Sequence, residues 1–138
     1  MLRVIDLLRL PSLSEAYVAA GGKGIFNVIH KIEVLEETYP SVVRFLTEHT
    51  VYLTNFWSLA EDKESRIRLI EEMISHHCAG IGIMPGVHLD NVIDPEILQL
   101  ANEKSFPIIY IPESVRWGHL ISEYSIVSSR NVDDFENN

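Results

Sequence analysis

The spacing of apolar and polar residues predicts a layered α/β domain. Residues 79–84 and 106–111 are apolar at nearly every position, which is typical of strands buried on both faces of a parallel sheet. Residues 62–77 and 94–104 carry apolar side chains at helical spacing, and Asp62 and Asp94-Pro95-Glu96 are helix start signals. Another amphipathic helix begins near Trp117. We therefore expect a mostly parallel central sheet flanked by helices.

The first half of the chain has a less regular pattern. It predicts a short helix over residues 3–10, strands over residues 16–20, 28–34 and 51–54, and a helix over residues 40–48. We expect an irregular hairpin region at the N-terminus. The polar, acidic segment 131–138 predicts a frayed tail or linker, which leaves residues 1–130 as one folded domain.

Composition and charge restrict the partners of this domain. The 138 residues have a formal net charge of -9, which repels phosphate backbones, so we expect no direct contact with nucleic acid. No apolar run approaches the length of a membrane span, and we expect no contact with a membrane. The start of the chain does not resemble a signal peptide, and Cys78 has no second cysteine to pair with. Both features favour the cytoplasm.

Two short motifs suggest chemistry, and each has a simpler interpretation. Gly21-Gly22-Lys23-Gly24 lacks the Ser or Thr that follows the lysine of a phosphate-binding loop, so a glycine-rich turn with positive φ is favoured. His76-His77-Cys78 could suggest a metal site, but adjacent helical residues point about 100° apart. Histidines at a helix C-terminus and a small buried cysteine explain that motif equally well.

Catalytic constellations are absent from the sequence. No G-x-S-x-G elbow, nucleophile–base pair or set of metal ligands at suitable spacing can be assembled. We therefore predict no enzyme activity, no catalytic residue, no metal site and no cofactor.

Polar residues follow three of the predicted strands at their carboxyl ends. Because ligands bind outside the carboxyl ends of parallel strands, Thr54, Asn55, His88 and Glu113 are candidate ligand-binding residues. Together they offer a hydroxyl, an amide, an imidazole and a carboxylate, which suits a small polar heterocycle. The alternative is that they are ordinary turn and cap residues.

An ordered series of segments resembles a known family. The segments are residues 3–11 (RVIDLLRLP), 19–22 (AAGG), 28–34 (VIHKIEV), 51–54 (VYLT), 78–83 (CAGIGI) and 106–112 (FPIIYIP). Together they resemble the N-terminal domain of purine catabolism regulator-like (PucR-type) transcription regulators, over about residues 2–125. Asn55 and Phe56 stand where the common form of the family has a threonine and a glycine.

The resemblance implies a sensory domain of a bacterial transcription regulator whose DNA-binding helix-turn-helix part lies outside this chain. Such a domain would bind a small nitrogen-containing effector, such as a purine-related metabolite, and act as a homodimer. A second hypothesis is a ligand-free dimerisation or interaction module. It rests on the apolar face of the helix that begins at Trp117, although that face could instead cover the sheet.

Overall fold

The computed structural model describes the backbone of residues 1–137 and the side chains of residues 1–131. The strands are β1 (Tyr17–Ala20), β2 (Lys31–Val34), β3 (Thr50–Thr54), β4 (Gly80–Ile83) and β5 (Ile108–Tyr110). The α-helices are α1 (Val4–Leu8), α2 (Lys63–Ser75), α3 (Pro95–Lys104) and α4 (Trp117–Asn137). Short 3₁₀ turns occur at Pro11–Leu13, Gly22–Gly24, Ser41–Phe45, Trp57–Leu59 and Val87–Leu89.

The five strands form one sheet in the order β1-β5-β4-β3-β2. Strands β2 to β5 are parallel, and β1 pairs antiparallel with β5 at one edge. The predicted layered α/β fold with a mostly parallel sheet is therefore confirmed. The expected N-terminal hairpin does not form, because β1 and β2 lie at opposite edges. β1 instead joins β5, where Tyr17 stacks on Tyr110 with ring centroids 5.0 Å apart.

Helices cover both faces of the sheet, and each face has its own hydrophobic cluster. Helices α2 and α3 pack on the face that carries Tyr52 and Ile81. Helices α1 and α4 pack on the opposite face, which carries Leu53 and Ile109. The apolar runs predicted as doubly buried strands are confirmed for this reason.

Strand β4 alternates glycine and isoleucine because one face of the strand has space for large side chains and the other does not. Ile81 and Ile83 fill the α2/α3 face, whereas Gly82 faces the other layer. A Cβ on Gly82 would lie 2.5 Å from Ile111 Cδ1 and 2.9 Å from Leu53 Cδ2. The glycine therefore lets these two large side chains close over the centre of the sheet.

Two predicted elements differ from the structure. The helix expected over residues 40–48 is only the 3₁₀ turn Ser41–Phe45, because a short segment with adjacent β-branched Val42 and Val43 is a poor α-helix former. The strand expected from residue 28 begins at Lys31, and Val28 forms an isolated bridge with Arg3 instead.

The helix starts are confirmed in position, but only one has the predicted cap. Asp62 Oδ1 accepts a 3.0 Å hydrogen bond from the backbone N–H of Ser65, and this bond lowers the pKa of the Asp62 carboxyl. Asp94 precedes α3 without capping it. Its carboxylate binds Arg66 instead, as described below.

Helix α4 continues through Asn137, so the backbone of residues 131–137 is helical. The use of segment 131–138 as a linker remains a prediction, and Asn138 lies outside the described residues.

Among the described residues, no helix combines the length and the hydropathy that crossing a membrane requires.

Candidate functional site

The carboxyl ends of β4 and β5 face a crevice made by the chain topology. After β4 the chain enters α3 on one face of the sheet, and after β5 it enters α4 on the other. The two connections diverge, and ligand sites of parallel α/β sheets form at such points. Glu113 lies here, and its Oε1 accepts a 3.0 Å hydrogen bond from the backbone N–H of Val87.

Gly86 makes this close approach of the two loops possible. Its φ is +57°, and a Cβ at this position would lie 2.8 Å from Glu113 Oε1 and 3.1 Å from His88 Cε1. A glycine is therefore required where the β4 loop meets the β5 loop.

Glu36 orders the loop that follows β3. Its carboxylate accepts hydrogen bonds from Thr54 Oγ1 at 2.8 Å, from the N–H of Asn55 at 2.7 Å and from the N–H of Trp57 at 3.1 Å. The Thr54 hydroxyl in turn accepts from the N–H of Phe56 at 2.9 Å. No local sequence motif marks these contacts, because they join Glu36 to residues 18 to 21 positions away.

Phe56 completes this loop with an unusual backbone. Its φ is +57°, in the left-handed region that favours glycine, and its side chain is only 2% exposed. The family resemblance predicts a glycine at this position. Burial of the aromatic ring offsets a cost of about 1 kcal/mol for a non-glycine residue in this conformation.

His88 joins the β4 loop to the β3 loop. Its Nε2 donates a hydrogen bond to the carbonyl oxygen of Asn55, so Nε2 is the ring nitrogen that carries a proton. The indole of Trp57 packs edge-on against the imidazole, with centroids 4.9 Å apart and an interplanar angle of 65°. Trp57 is 68% exposed, so much of its aromatic surface is open to solvent beside these loops.

The structure thus places the four predicted residues in one group of connected loops. We call these residues, together with Trp57, the strand-end rim. Asn55 and His88 are in direct contact, Thr54 precedes Asn55, and Glu113 binds the residue before His88. Thr54 is only 3% exposed, and its hydroxyl is engaged as both donor and acceptor. Ligand binding by these residues remains a prediction.

An open pocket of ≈ 400 Å³ adjoins His88. Asp90 and Val92 line one side, and the Arg66–Asp94 pair lines the other. Arg66 is 7% exposed and donates from Nε and Nη2 to both carboxylate oxygens of Asp94, at 2.8 and 2.9 Å. Asp94 holds the pKa of the Arg66 guanidinium above its usual value. The ion pair forms one wall of the pocket. Because the Asp94 carboxylate is bound to Arg66, Asp90 provides the exposed carboxylate of the pocket.

The His76-His77-Cys78 motif has a structural explanation. His76 Nδ1 lies 2.7 Å from the carbonyl oxygen of Glu72, and the Cys78 thiol donates to the carbonyl oxygen of Thr47 at 3.4 Å. Burial raises the pKa of Cys78 to about 12, so the reactive thiolate is scarce. Within the described part of the chain, no group of three His, Cys, Asp or Glu residues could hold a metal ion.

We expect Glu36→Ala to loosen the β3 loop without unfolding the domain. The backbone N–H of Asn55 loses its acceptor, and that of Trp57 keeps only Asn55 Oδ1 at 3.2 Å, while the exposed Glu36 side chain adds little to the core. Residue-resolved hydrogen exchange by NMR should show faster exchange at these two amides. Glu37→Ala is the matched control, and equal acceleration in both variants would contradict the role of Glu36.

Fold and site together define a three-layer α/β domain with a loop-built polar rim at the carboxyl end of its sheet. The model of the purine catabolism regulatory protein-like (PucR) family matches residues 6–125. This chain belongs to that family.

A curated relative and the solved structures complete the comparison. The chain is 28% identical over 121 residues to a protein of Bacillus subtilis (strain 168) named purine catabolism regulatory protein. The match covers 88% of this chain and 22% of that protein, so the chain spans about a fifth of the relative's length. No solved structure matches significantly.

Proposed function

We propose that this chain is the N-terminal regulatory domain of a bacterial transcription regulator. It binds a small nitrogen-containing metabolite, and the bound state modulates DNA binding by a separate helix-turn-helix domain. Membership of the family supports the regulatory role. The net charge of -9 supports the assignment of DNA binding to a separate domain, since an acidic domain is repelled by the phosphates of DNA.

The observation that carries the proposal is the exposed Trp57 indole beside His88 at the strand-end rim. A flat aromatic surface suits a planar ring, because ring faces and edges attract each other. Asp90 and Glu113 are exposed nearby and provide carboxylate acceptors for N–H groups. A nitrogen-rich planar metabolite, such as a purine-related compound, combines both features.

Thr54 and Asn55 serve this site differently from His88 and Glu113. The Thr54 hydroxyl is engaged by Glu36, and the Asn55 carbonyl holds His88. In the proposal, these two residues position the rim, while the imidazole, the exposed carboxylates and the indole meet the ligand.

A thermal-shift screen of the purified chain tests the proposal. The panel contains purines, ureides, amino acids and polyamines. A true ligand at 100 times its dissociation constant stabilises the domain by about 2.7 kcal/mol. Trp57→Ala should abolish the shift, and Phe45→Ala, which removes another exposed aromatic side chain, should retain it.

Absence of stabilisation by every class would favour the ligand-free dimerisation module. The face of α4 that motivates this alternative packs on the sheet, because Leu120 is fully buried and Tyr124 belongs to the same core cluster. The outer side of α4 exposes Ile126 instead. Light scattering on Ile126→Glu and on the unchanged chain would then test whether a homodimer forms through α4.

A further inference from the structure

A second groove lies at the opposite end of the sheet from the strand-end rim. It has a volume of ≈ 630 Å³ and is bounded by the segments that lead into β3 and β4 and by the end of α3. Cys78, Ala79 and Phe106 are buried at its base. We call it the amino-end groove, and its rim includes Arg3, Phe26, Asn27, His49, His77 and Lys104.

The charge of the amino-end groove is opposite to that of the domain. Arg3, His49, His77 and Lys104 line it, and among the described residues no Asp or Glu does. The chain as a whole has 20 acidic residues against 11 Lys and Arg. A local concentration of basic groups in an acidic domain attracts small anions, because a cleft focuses the field of its lining charges.

Several N–H groups of the basic side chains in the groove are available to donate hydrogen bonds to a ligand. Among the described side chains, the Lys104 ammonium and the His77 imidazole have no hydrogen-bond or ion-pair partner. Arg3 uses Nη1 on the carbonyl oxygen of Phe26 at 2.6 Å, which orients the guanidinium and leaves further N–H groups. His49 Nε2 is 4.0 Å from a carboxylate oxygen of Glu48, and both side chains are exposed.

Helix dipoles explain only part of this pattern. Lys104 ends α3 and His77 follows α2, and cations are favourable at both helix ends. Arg3 precedes α1, and His49 precedes β3, so neither compensates the C-terminus of a helix. Helix dipoles therefore account for two of the four basic side chains that line the groove.

The size and surroundings of the groove select among anions. Its volume is that of a pocket for a small molecule, whereas a nucleic acid would extend beyond the groove over a domain whose net charge is -9. Phe26 is 60% exposed at the rim and offers an aromatic surface for the uncharged part of a ligand.

We propose that the amino-end groove binds a small metabolite that carries carboxylate or phosphate oxygens. The Arg3 guanidinium and the Lys104 ammonium donate charge-assisted hydrogen bonds to the oxyanion, and His49 and His77 donate from ring N–H groups. The site is separate from the strand-end rim, so each can exist without the other.

Titration of the ¹⁵N-labelled chain with pyrophosphate and with citrate, at constant ionic strength set by sodium chloride, tests this site by NMR. We expect saturable shifts confined to the amides of the groove, above all those near His49, His77 and Lys104. The preferred probe distinguishes phosphate from carboxylate ligands. Lys104→Gln should weaken binding about tenfold.

Arg116→Gln is the matched control, because it removes the same charge from an exposed residue at the other end of the sheet. It should change the affinity less than about twofold. His77→Gln provides a second variant and should also weaken binding. Absence of saturable shifts, shifts centred elsewhere, or equal loss in Lys104→Gln and Arg116→Gln would overturn the proposal.

Discussion

Replacement of Gly21 by alanine is expected to prevent stable folding. Gly21 has φ of +70°, and a Cβ at this position would lie 1.9 Å from the carbonyl oxygen of Phe106 and 2.3 Å from its carbonyl carbon. The obstructing atoms are backbone atoms just before β5, so no side-chain rotation relieves the overlap. Relief would require β1 to move away from β5.

The expected loss for Gly21→Ala exceeds about 4 kcal/mol, which is a large share of the stability of a typical domain. The backbone N–H of Gly21 also donates to Asn102 Oδ1 at 2.8 Å, and displacement of β1 would break this hydrogen bond to α3. Urea unfolding followed by circular dichroism measures the effect.

Gly22→Ala is the control for Gly21→Ala. No atom lies within 4 Å of the Cβ that this change adds, and Gly22 is exposed without positive φ. We expect stability within about 0.5 kcal/mol of the unchanged chain. Similar losses at positions 21 and 22 would show that β1 does not approach Phe106 as closely as the structure indicates.

The second large effect is expected at the Arg66–Asp94 ion pair, where Asp94→Ala should destabilise the domain by about 3–5 kcal/mol. The change leaves the guanidinium of Arg66 buried without its countercharge. Arg66 Nη1 also donates to the carbonyl oxygens of Leu59 and Ala60, at 2.8 and 3.0 Å. The pair therefore connects α2, the start of α3 and the turn after β3.

A double variant separates the pair from the packing around it. Arg66→Met combined with Asp94→Leu should recover most of the loss, because apolar residues of similar size replace buried ion pairs at little cost. Lys63→Ala is the matched control, since Lys63 and Glu96 form an exposed pair between the same two helices at 2.7 Å. We expect little measurable change for Lys63→Ala. A loss as large as that of Asp94→Ala would show that helix docking, rather than desolvation of a buried charge, sets the effect.

Local sequence patterns predicted most of the elements because their signals lie within a few residues. Asp62 precedes an apolar helical stripe, and the structure has a capped helix there. The alternation of Gly80 and Gly82 with isoleucine lies in a strand that is buried on both faces. The segment after Pro40 was mispredicted as an α-helix, since apolar residues at helical spacing do not distinguish one short 3₁₀ turn from an α-helix.

Contacts between distant residues could not be read from these patterns. Asp94 carries every local mark of a helix cap, yet its carboxylate is committed to Arg66, 28 residues earlier. Glu36 is one of several acids in a polar stretch, and its importance follows only from the loop that folds over it. The amino-end groove was missed for the same reason, because its basic residues come from four separate segments.

The sequence by itself determined the layered α/β class, the start of each long helix and the burial of the central strands, because hydrophobic periodicity and capping act over short distances. It also located the four polar residues at the strand ends. Only the tertiary structure decided that β1 pairs with β5 and that the Thr54 hydroxyl is hydrogen-bonded to Glu36. It also decided that the amino-end groove and the pocket beside His88, which differ in the charge of their lining residues, lie at opposite ends of the sheet. These features depend on which segments meet in space, and that choice is made by packing of the whole chain.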